Sequence, residues 1–251
     1  MRTNYSILIV ILAFLFPACT PYYYLPTKQN VMVFEKKGDV ILSANLGFND
    51  FAGLEGGYAI TDNIGLYSSF NAFDISNTAA NSQNLSDFIW DNEIVLFKKY
   101  NSGLYTGVNI GVGFGELDAN NPYYVLGLNR QFVQPVLGYT FDKRFDFAIS
   151  SRLTRLNYSI KSLIDISSEY DKFMFNSYFD VNELSKSSYF FIEPALTFGL
   201  NYEFLKVKFQ YSLAHELFSK NLSYISNNLT TTVSFNLNKI FIIKKNKTSK
   251  F

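Results

Sequence analysis

A two-residue alternation of apolar with small or polar side chains recurs in several segments of this 251-residue chain. In 104–115 the even-numbered face carries Leu104, Thr106, Val108, Ile110, Val112 and Phe114. The odd-numbered face carries Tyr105, Asn109 and four glycines. The segments 190–201, 205–214 and 228–237 divide in the same way. Since successive side chains on a strand point to opposite faces, each segment is predicted to be a β-strand with one apolar face.

The composition of the non-apolar faces indicates the environment of these strands. They hold mainly Gly, Ala, Ser, Thr and Asn, and only 17% of the chain is charged, against about 25% in an average globular protein. A surface in water usually carries more charge, whereas a narrow barrel lumen takes small and hydrogen-bonding side chains. We therefore predict a transmembrane β-barrel with the apolar face toward lipid. The alternative is a soluble barrel or sandwich, whose apolar face would point inward.

The predicted fold is all-β: a closed antiparallel up-and-down transmembrane β-barrel of about ten strands, within a range of roughly eight to twelve. The barrel is predicted to occupy 39–238, with strands at 39–48, 51–60, 63–74, 88–99, 103–116, 123–141, 144–158, 188–202, 204–216 and 228–238. Connections after even-numbered strands are short and those after odd-numbered strands are longer, except for the first hairpin at Asn49 and Asp50. Outer-membrane barrels have short periplasmic turns and longer extracellular loops, so both termini are predicted to be periplasmic.

The seventh predicted strand changes its apolar phase along its length. Its apolar residues are odd-numbered up to Leu153 and even-numbered from Leu156 onward. A slip of one residue moves every later side chain to the other face. We therefore predict a β-bulge near Thr154 and Arg155.

The first residues have the form of an export signal. Arg2 precedes an apolar run at 7–16, which is shorter than the roughly 20 residues of a transmembrane helix but suits the core of a signal peptide. The string Leu15, Phe16, Pro17, Ala18, Cys19 resembles a lipoprotein signal, in which the cysteine is lipidated and becomes the new N-terminus. We predict a signal peptide at 1–18 and a lipid on Cys19, the one cysteine of the chain. The alternative is that Cys19 is removed with the leader.

Short segments flank the predicted barrel. Residues 19–38 are predicted to form a lipid-anchored tether, whose Tyr22, Tyr23 and Tyr24 suit the membrane interface. The C-terminal segment 239–251 is basic and either attracts anionic lipid head groups or polyanions, or is a solvated tail. Its lysines are Lys244, Lys245, Lys247 and Lys250. The whole chain has a formal net charge of only +1, so we expect no nucleic-acid partner.

Several charged residues fall on the inward faces of the predicted strands. They are Glu55, Asp91, Glu93, Arg130, Arg152, Glu193, Lys206 and Lys208. Charges in a closed lumen of low dielectric cost several kcal/mol unless they pair, so we predict a salt-bridged network that plugs and stabilises a narrow barrel. The alternative is a polar path for ions or a small solute, although true aqueous porins use 16–18 strands.

Catalysis and metal binding have little support in the sequence. His215, the one histidine, is predicted to lie at the outer rim, and the spacing of a lipid A deacylase, with Ser two residues after His, fails because Leu217 stands there. A nucleophile needs a positioned base, so we expect no catalytic residue. The segment 116–121 has oxygen ligands that suit Ca²⁺, but turn residues explain it equally. We expect no cofactor and no metal site.

The long connection at 159–187 is the most distinctive loop of the chain. It mixes acidic and aromatic residues, namely Asp165, Glu169, Tyr170, Asp171, Phe173, Phe175, Tyr178 and Phe179. Loops longer than about 15 residues are usually functional or disordered. The loop is our candidate for contact with a protein or glycan partner; the alternative is a structural lid over the barrel mouth.

Taken together, the alternating strands, loop pattern and leader resemble the small outer-membrane barrels of Gram-negative bacteria, the OmpA/OmpX-like superfamily in the loose sense. That resemblance implies a structural, adhesion or transport-accessory role at the cell surface, usually without catalysis. We expect a monomeric outer-membrane lipoprotein with a structural or surface-binding role and with membrane lipid as its surroundings. The alternatives are a narrow transporter or channel for a small solute and a lipid-modifying enzyme, since the fold does not decide function.

Overall fold

The structure, a computed structural model, describes residues 23–31, 34–48, 51–73, 87–117, 124–163, 181–202, 204–218, 222 and 224–239. It contains one antiparallel sheet and a short helix, α1 (Val181–Lys186), among the described residues. The strands are β1 (Val40–Gly47), β2 (Phe51–Ala59), β3 (Ile64–Phe73), β4 (Asp87–Lys99), β5 (Leu104–Leu117), β6 (Tyr124–Phe141), β7 (Phe145–Leu163), β8 (Ser188–Tyr202), β9 (Leu205–Leu213), β10 (His215–Glu216) and β11 (Asn227–Asn236).

The sheet closes on itself. Each strand from β1 to β8 pairs with the next, β8 pairs with β9, β9 pairs with β11, and β11 returns to β1. The two-residue β10 continues β9 along β8, since His215 lies opposite Ile192. The result is a closed ten-stranded antiparallel barrel, which confirms the predicted fold class. Because each of the ten strands of the ring has two neighbours, the ring itself leaves no exposed sheet edge.

The apolar face of the strands lies on the outside of the barrel, as predicted. Val108, Leu196 and Phe209 are all exposed, Leu196 to 52% of its surface. The residues between them on the same strands, such as Asn109, Thr197 and Gln210, are buried in the lumen. An apolar outer surface and a polar inner one are what a bilayer requires of a barrel. No helix of the described residues is long and apolar enough to cross a membrane.

The predicted bulge near Thr154 and Arg155 is wrong. The register of β7 with β8 runs without interruption from Phe145 opposite Leu200 to Asn157 opposite Ser188. Leu156 and Tyr158 therefore face the lumen, like Arg152 before them. At the level of Leu156 and Tyr158 the inward side chains are apolar rather than polar. The sequence therefore shows apolar residues at even-numbered positions although the strand keeps its register. The register shift that does occur lies further along, between Val125 and Leu126 of β6.

One end of the barrel, here called the turn end, carries the short connections. At the hairpin between β4 and β5, Gly103 has φ 91°. A Cβ on Gly103 would sit 2.5 Å from the carbonyl oxygen of Thr140, so both the backbone angle and the space require glycine. Between β6 and β7, Asp142 and Lys143 have φ 46° and 58°, as a type I′ hairpin turn requires. The opposite end, here called the loop end, carries the long connections.

A segment that precedes β1 runs through the inside of the barrel. We call residues 23–31 together with Phe34 the plug; all of them are buried. Tyr24 contacts Phe191 and forms a bridge with Tyr224 at the loop end, whereas Phe34 packs against Ala59 and Phe97 at the turn end. The predicted place of Tyr23 and Tyr24 at the membrane interface is therefore wrong, because both lie in the lumen. The prediction of a lipid on Cys19 concerns a residue outside the described ones.

Candidate functional site: the plugged lumen

The loop end of the plug is anchored by aromatic packing. The rings of Tyr24 and Phe191 lie 4.6 Å apart, and the hydroxyl of Tyr158 donates to the carbonyl oxygen of Tyr23 at 2.7 Å. Leu25 belongs to the same buried cluster, together with residues of nearly every strand end on this side. The apolar residues Leu156 and Tyr158 of β7 therefore line the part of the lumen in which the plug begins.

The middle of the plug is bound by two arginines of the wall. Arg130 Nη2 and Arg152 Nη1 donate to the hydroxyl of Thr27 at 2.6 and 3.1 Å. Arg130 also forms a bidentate pair with Asp91, and both side chains are buried. A guanidinium presents several donors in a fixed planar fork, so one arginine can hold a carboxylate and a plug hydroxyl together.

Polar side chains of the wall satisfy the backbone of the plug. Gln210 accepts from the backbone N–H of Gln29 at 2.6 Å and donates back to its carbonyl oxygen at 3.0 Å. The carbonyl oxygen of Asn30 accepts from Gln134 at 2.6 Å and from Asn109 at 2.9 Å. Buried backbone groups need such partners, and an extended segment inside a barrel has no neighbouring strand to provide them. Side chains of the barrel wall thus hydrogen-bond to the backbone of the plug, as the side chains of a peptide-binding site do to a bound peptide.

A glycine socket receives the turn end of the plug. Phe34 lies over Gly57 and Gly65 of neighbouring strands; a Cβ on Gly57 would come within 2.8 Å of the ring, and one on Gly65 would come closer still. The ring also packs against Phe97 at a centroid distance of 5.7 Å. The two glycines leave the volume that the phenyl ring fills, which fixes where the segment ends inside the barrel.

On the turn-end side of Phe34, polar contacts join the residues just before β1 to those just after β11. Asn238 donates to the carbonyl oxygen of Gly38 at 2.8 Å, and Lys239 pairs with Glu35 at 2.7 Å between Nζ and Oε1. Burial acts to raise the pKa of Glu35, but the hydrogen bond and charge of Lys239 outweigh it, so the pKa lies below its ordinary value. Because this pair is partly exposed, it contributes little to stability.

The predicted lumen charges all lie on the inside of the barrel. Seven of the eight are buried and Lys206 is half-buried near the turn end. Arg152 lies 3.8 Å from Glu193, and Glu93 accepts from Asn109 at 3.1 Å. Lys208 donates to the plug at the carbonyl oxygen of Val31, 3.4 Å away. The charges are therefore joined partly to one another and partly through the plug.

Glu55 has a partner that no strand position in the sequence indicates. This carboxylate pairs with Lys28 of the plug and accepts from Tyr67 and Asn45. Lys28 lies in the segment predicted to be a tether, before the first strand, so the alternation of the strands does not indicate it. A signal for the plug was present in the uninterrupted polar run at 27–30, whose side chains fit neither a strand face nor a lipid interface.

Among the described residues, several buried oxygen atoms of the lumen have no hydrogen-bond partner. Five belong to Asn45, Asn71, Asn228, Thr230 and Thr232 on β1, β3 and β11, and two more, Glu193 Oε2 and Asn201 Oδ1, lie on β8. The amide oxygens of Asn45 and Asn71 converge above Gly53, where a Cβ would meet both of them. Unpaired buried acceptors are costly, so a polar site of this kind suits bound water.

The other predicted sites lie outside the lumen or outside the described residues. The eight candidate partner residues between Asp165 and Phe179 lie outside the described residues, as do the four lysines of the C-terminal segment. Next to that loop, Leu184 of α1 is fully buried in the cluster at the loop end. His215 is exposed on the outer face. Glu116 pairs with Lys161 in a partly exposed ion pair. In the described part of the chain no cluster of acidic, histidine or cysteine residues could hold a metal ion.

Comparisons with solved structures return outer-membrane proteins. The N-terminal β-barrel domain of Pseudomonas aeruginosa OprF is similar at 11% identity and a TM-score of 0.35, over 80% of this chain and 98% of that one. The KdgM porin is similar at 9% identity and a TM-score of 0.36, over 79% and 98% of the two chains. OmpT of Vibrio cholerae gives 11% identity and a TM-score of 0.34, over 74% and 55%. At these scores the fold assignment depends on the strand pairing of this chain itself.

No protein-family model matches the sequence, and no curated protein matches it. The similarity to OmpA/OmpX-like barrels therefore remains a resemblance of architecture. The class that the fold and the lumen define is a closed outer-membrane-type β-barrel with an internal plug formed by its own N-terminal segment.

Proposed function

We propose that this chain is a sealed outer-membrane β-barrel with a structural or surface-binding role and no catalytic activity. The observation that carries the proposal is the plug, which fills the lumen from the loop end to the turn end. Its polar contacts and buried ion pairs stabilise the interior of the barrel, as a hydrophobic core stabilises a globular protein. The role at the surface then belongs to the loops at the loop end rather than to the lumen.

The location in the outer membrane follows from the outer surface of the barrel. A continuous apolar exterior, with aromatic side chains such as Trp90 and Phe145 exposed near its two ends, matches the girdled band of such barrels. The same exterior in water would be an apolar patch far larger than monomeric soluble proteins expose. His215 is exposed on the outer face, away from the buried charges of the lumen.

Conductance in planar bilayers tests the sealed lumen. The full-length protein is expected to give no stepwise current, because the plug and its ion pairs occupy the lumen. A variant that lacks 23–31 is expected to conduct, while a variant with residues 165–179 replaced by a Gly-Ser turn stays closed and serves as the matched control. Stepwise conductance of the full-length protein would contradict the proposal.

A second candidate is a narrow path for water or a small solute beside the plug. The unpaired oxygens of Asn45, Asn71, Asn228, Thr230 and Thr232 favour it, because they line one side of the lumen without protein partners. Solute flux from proteoliposomes that depends on Thr232 would support this candidate. Thr232→Val removes the hydroxyl at nearly constant volume, and Thr106→Val on the outer face is the control. Equal flux in both variants and in the unmodified protein would exclude a role for these oxygens.

A further inference from the structure

The plug has a direction, and it runs opposite to the one expected from the strand count. Tyr23 and Tyr24 lie among residues of the loop end, including Phe51, Tyr189 and Phe191. Val31 lies with Tyr105, Val136 and Ala148, near the other end. Phe34 follows in its socket, and β1 then begins at the turn end, where the backbone N–H of Gly38 donates to the carbonyl oxygen of Ala59 at 2.8 Å. The chain therefore passes from the loop end to the turn end before it forms its first strand.

The plug is long enough to cross the whole bilayer. The stretch from Tyr23 to Phe34 spans about 36 Å if extended at roughly 3.3 Å per residue, compared with an apolar band of about 25 Å on outer-membrane barrels. Contacts along the way are ordered as a single pass: Asn228 donates to Pro26, Gln210 binds Gln29, and Lys208 binds Val31. These three wall residues stand on the adjacent strands β11 and β9, at successive levels from loop end to turn end.

We propose that the chain enters the barrel from the cell surface, so that the residues just before Tyr23 are displayed outside the cell. The loop end is the extracellular end of an outer-membrane barrel, since its periplasmic turns are short. The N-terminus and the C-terminal end of β11 then lie on opposite sides of the membrane, although the barrel has an even number of strands. The plug acts as an additional, internal crossing.

The same geometry determines where a lipid on Cys19 would lie. Cys19 lies only four positions before Tyr23, and four steps along the chain reach at most about 14 Å. That distance cannot carry Cys19 from the loop end to the inner leaflet across an apolar band of about 25 Å while the plug is in place. An acyl chain on Cys19 therefore enters the outer, cell-surface leaflet.

The experiment is epitope labelling of intact cells that express the full-length chain. One variant carries a tag between Thr20 and Pro21, a second carries it in the turn between Asn101 and Ser102, and a third carries it inside 165–179. The antibody is expected to label the first and third variants on intact cells, and the second only after the outer membrane is permeabilised. An N-terminal tag that behaves like the tag at Asn101 would overturn the proposal, and so would labelling of the Asn101 tag on intact cells.

A cysteine version covers the case in which the tag blocks assembly or is lost. In a Cys19→Ala background, Pro21→Cys and Ser102→Cys are compared for reaction with a membrane-impermeant maleimide on intact cells. Reaction at position 21 but not at 102 supports surface entry, and the reverse overturns it. In the same background, Gln29→Cys with Ser150→Cys and a short bifunctional maleimide reports whether the plug is in place, because Gln29 Oε1 and Ser150 Oγ lie 2.7 Å apart, so that the two positions fall within the span of such a reagent. Assembled barrels that never form this crosslink would also overturn the proposal, whereas conductance alone decides whether the lumen is sealed.

Discussion

Buried charges in this protein are arranged so that acids face bases or hydrogen-bond donors across the lumen. Asp91 has Arg130, Glu193 has Arg152 and Tyr24, and Glu55 has Lys28. An ion taken out of water costs several kcal/mol unless a partner and further hydrogen bonds compensate for it. The plug supplies part of that compensation, so its residues and those of the wall depend on one another.

The pair of Arg130 with Asp91 is expected to show this dependence. Arg130→Met leaves Asp91 buried without its partner and is expected to lower the free energy of unfolding by about 3–5 kcal/mol. The double variant Arg130→Met, Asp91→Leu is expected to recover most of the loss, because replacing a whole buried pair by apolar groups is often nearly neutral. Urea titration followed by the gel shift of the folded barrel measures both, and a double variant as unstable as the single one would contradict the assignment.

The glycine socket gives a matched pair of substitutions on adjacent strands. Gly65→Ala places a methyl group against the ring of Phe34, and overpacking of this kind typically costs about 1–3 kcal/mol. Gly56→Ala faces outward, where the added Cβ would lie 3.6 Å from Leu42, an ordinary contact. Thermal unfolding midpoints should fall for Gly65→Ala and stay close to the unmodified value for Gly56→Ala. Equal midpoints would mean that Phe34 does not occupy the socket.

At the scale of the element, each strand is a boundary between lipid and lumen. Outward side chains of β8 such as Leu196 and Phe198 alternate with the inward Ala195, Thr197 and Gly199. Register is strongly specified in such a strand, because a slip of one residue would turn every apolar side chain into the lumen. That constraint is why the predicted strand bounds agree closely with those of the structure, apart from the longer β7.

Depth along β8 is expected to set the cost of an introduced charge. Leu196→Arg, near the middle of the strand, is expected to cost about 2–4 kcal/mol, whereas Tyr202→Arg at its turn end should cost about 0–1 kcal/mol. Folding titrations into lipid vesicles measure both values. A spin label at 196 that reports water rather than lipid would show that the exposed face does not contact the bilayer.

The loop between β7 and β8 divides into a part that packs on the barrel and a part that we expect to be dispensable. Leu184 is fully buried at the loop end, so a deletion that removes it should destabilise the barrel. Replacing 165–179 by a Gly-Ser turn is expected to leave the heat-resistant, gel-shifted band intact, and to abolish any partner crosslinked from intact cells. The longer replacement of 163–184 is the comparison. Failure of the shorter variant to assemble would place the segment in the framework of the barrel.

The whole molecule combines a closed ladder of strands with an internal crossing. Closure removes the exposed edges of the sheet, and the plug removes most of the empty volume that closure creates. The plug also contacts the strands that complete the ring, through Asn228 of β11 and Gln210 of β9.

The lipid on Cys19 is a prediction about the molecule as a whole, since the plug fixes where such an anchor can lie. Metabolic labelling with a fatty acid is expected to mark the unmodified protein and to be lost in Cys19→Ala. An engineered Ala18→Ser substitution, which keeps a small residue before the cysteine, is the control that should retain the label. Equal labelling of the unmodified protein and Cys19→Ala, or a mature chain that starts after residue 20, would remove the prediction.

The sequence by itself determined the strands, their faces and the inward position of charges such as Arg130 and Glu193. It could do so because alternation along one strand is a local property, which any window of ten residues displays. Only the tertiary structure decided what fills the lumen, how Glu55 is paired and which way the chain enters. Those features join residues such as Lys28 and Glu55, or Gln29 and Gln210, that lie far apart in the chain. The plug has no periodic pattern because its surroundings change along its length. Aromatic side chains surround it at the loop end, charged residues in the middle, and the glycine socket at the turn end. Because the plug is enclosed on all sides, it has no lipid-facing side, and its sequence therefore shows no alternation of apolar and polar residues.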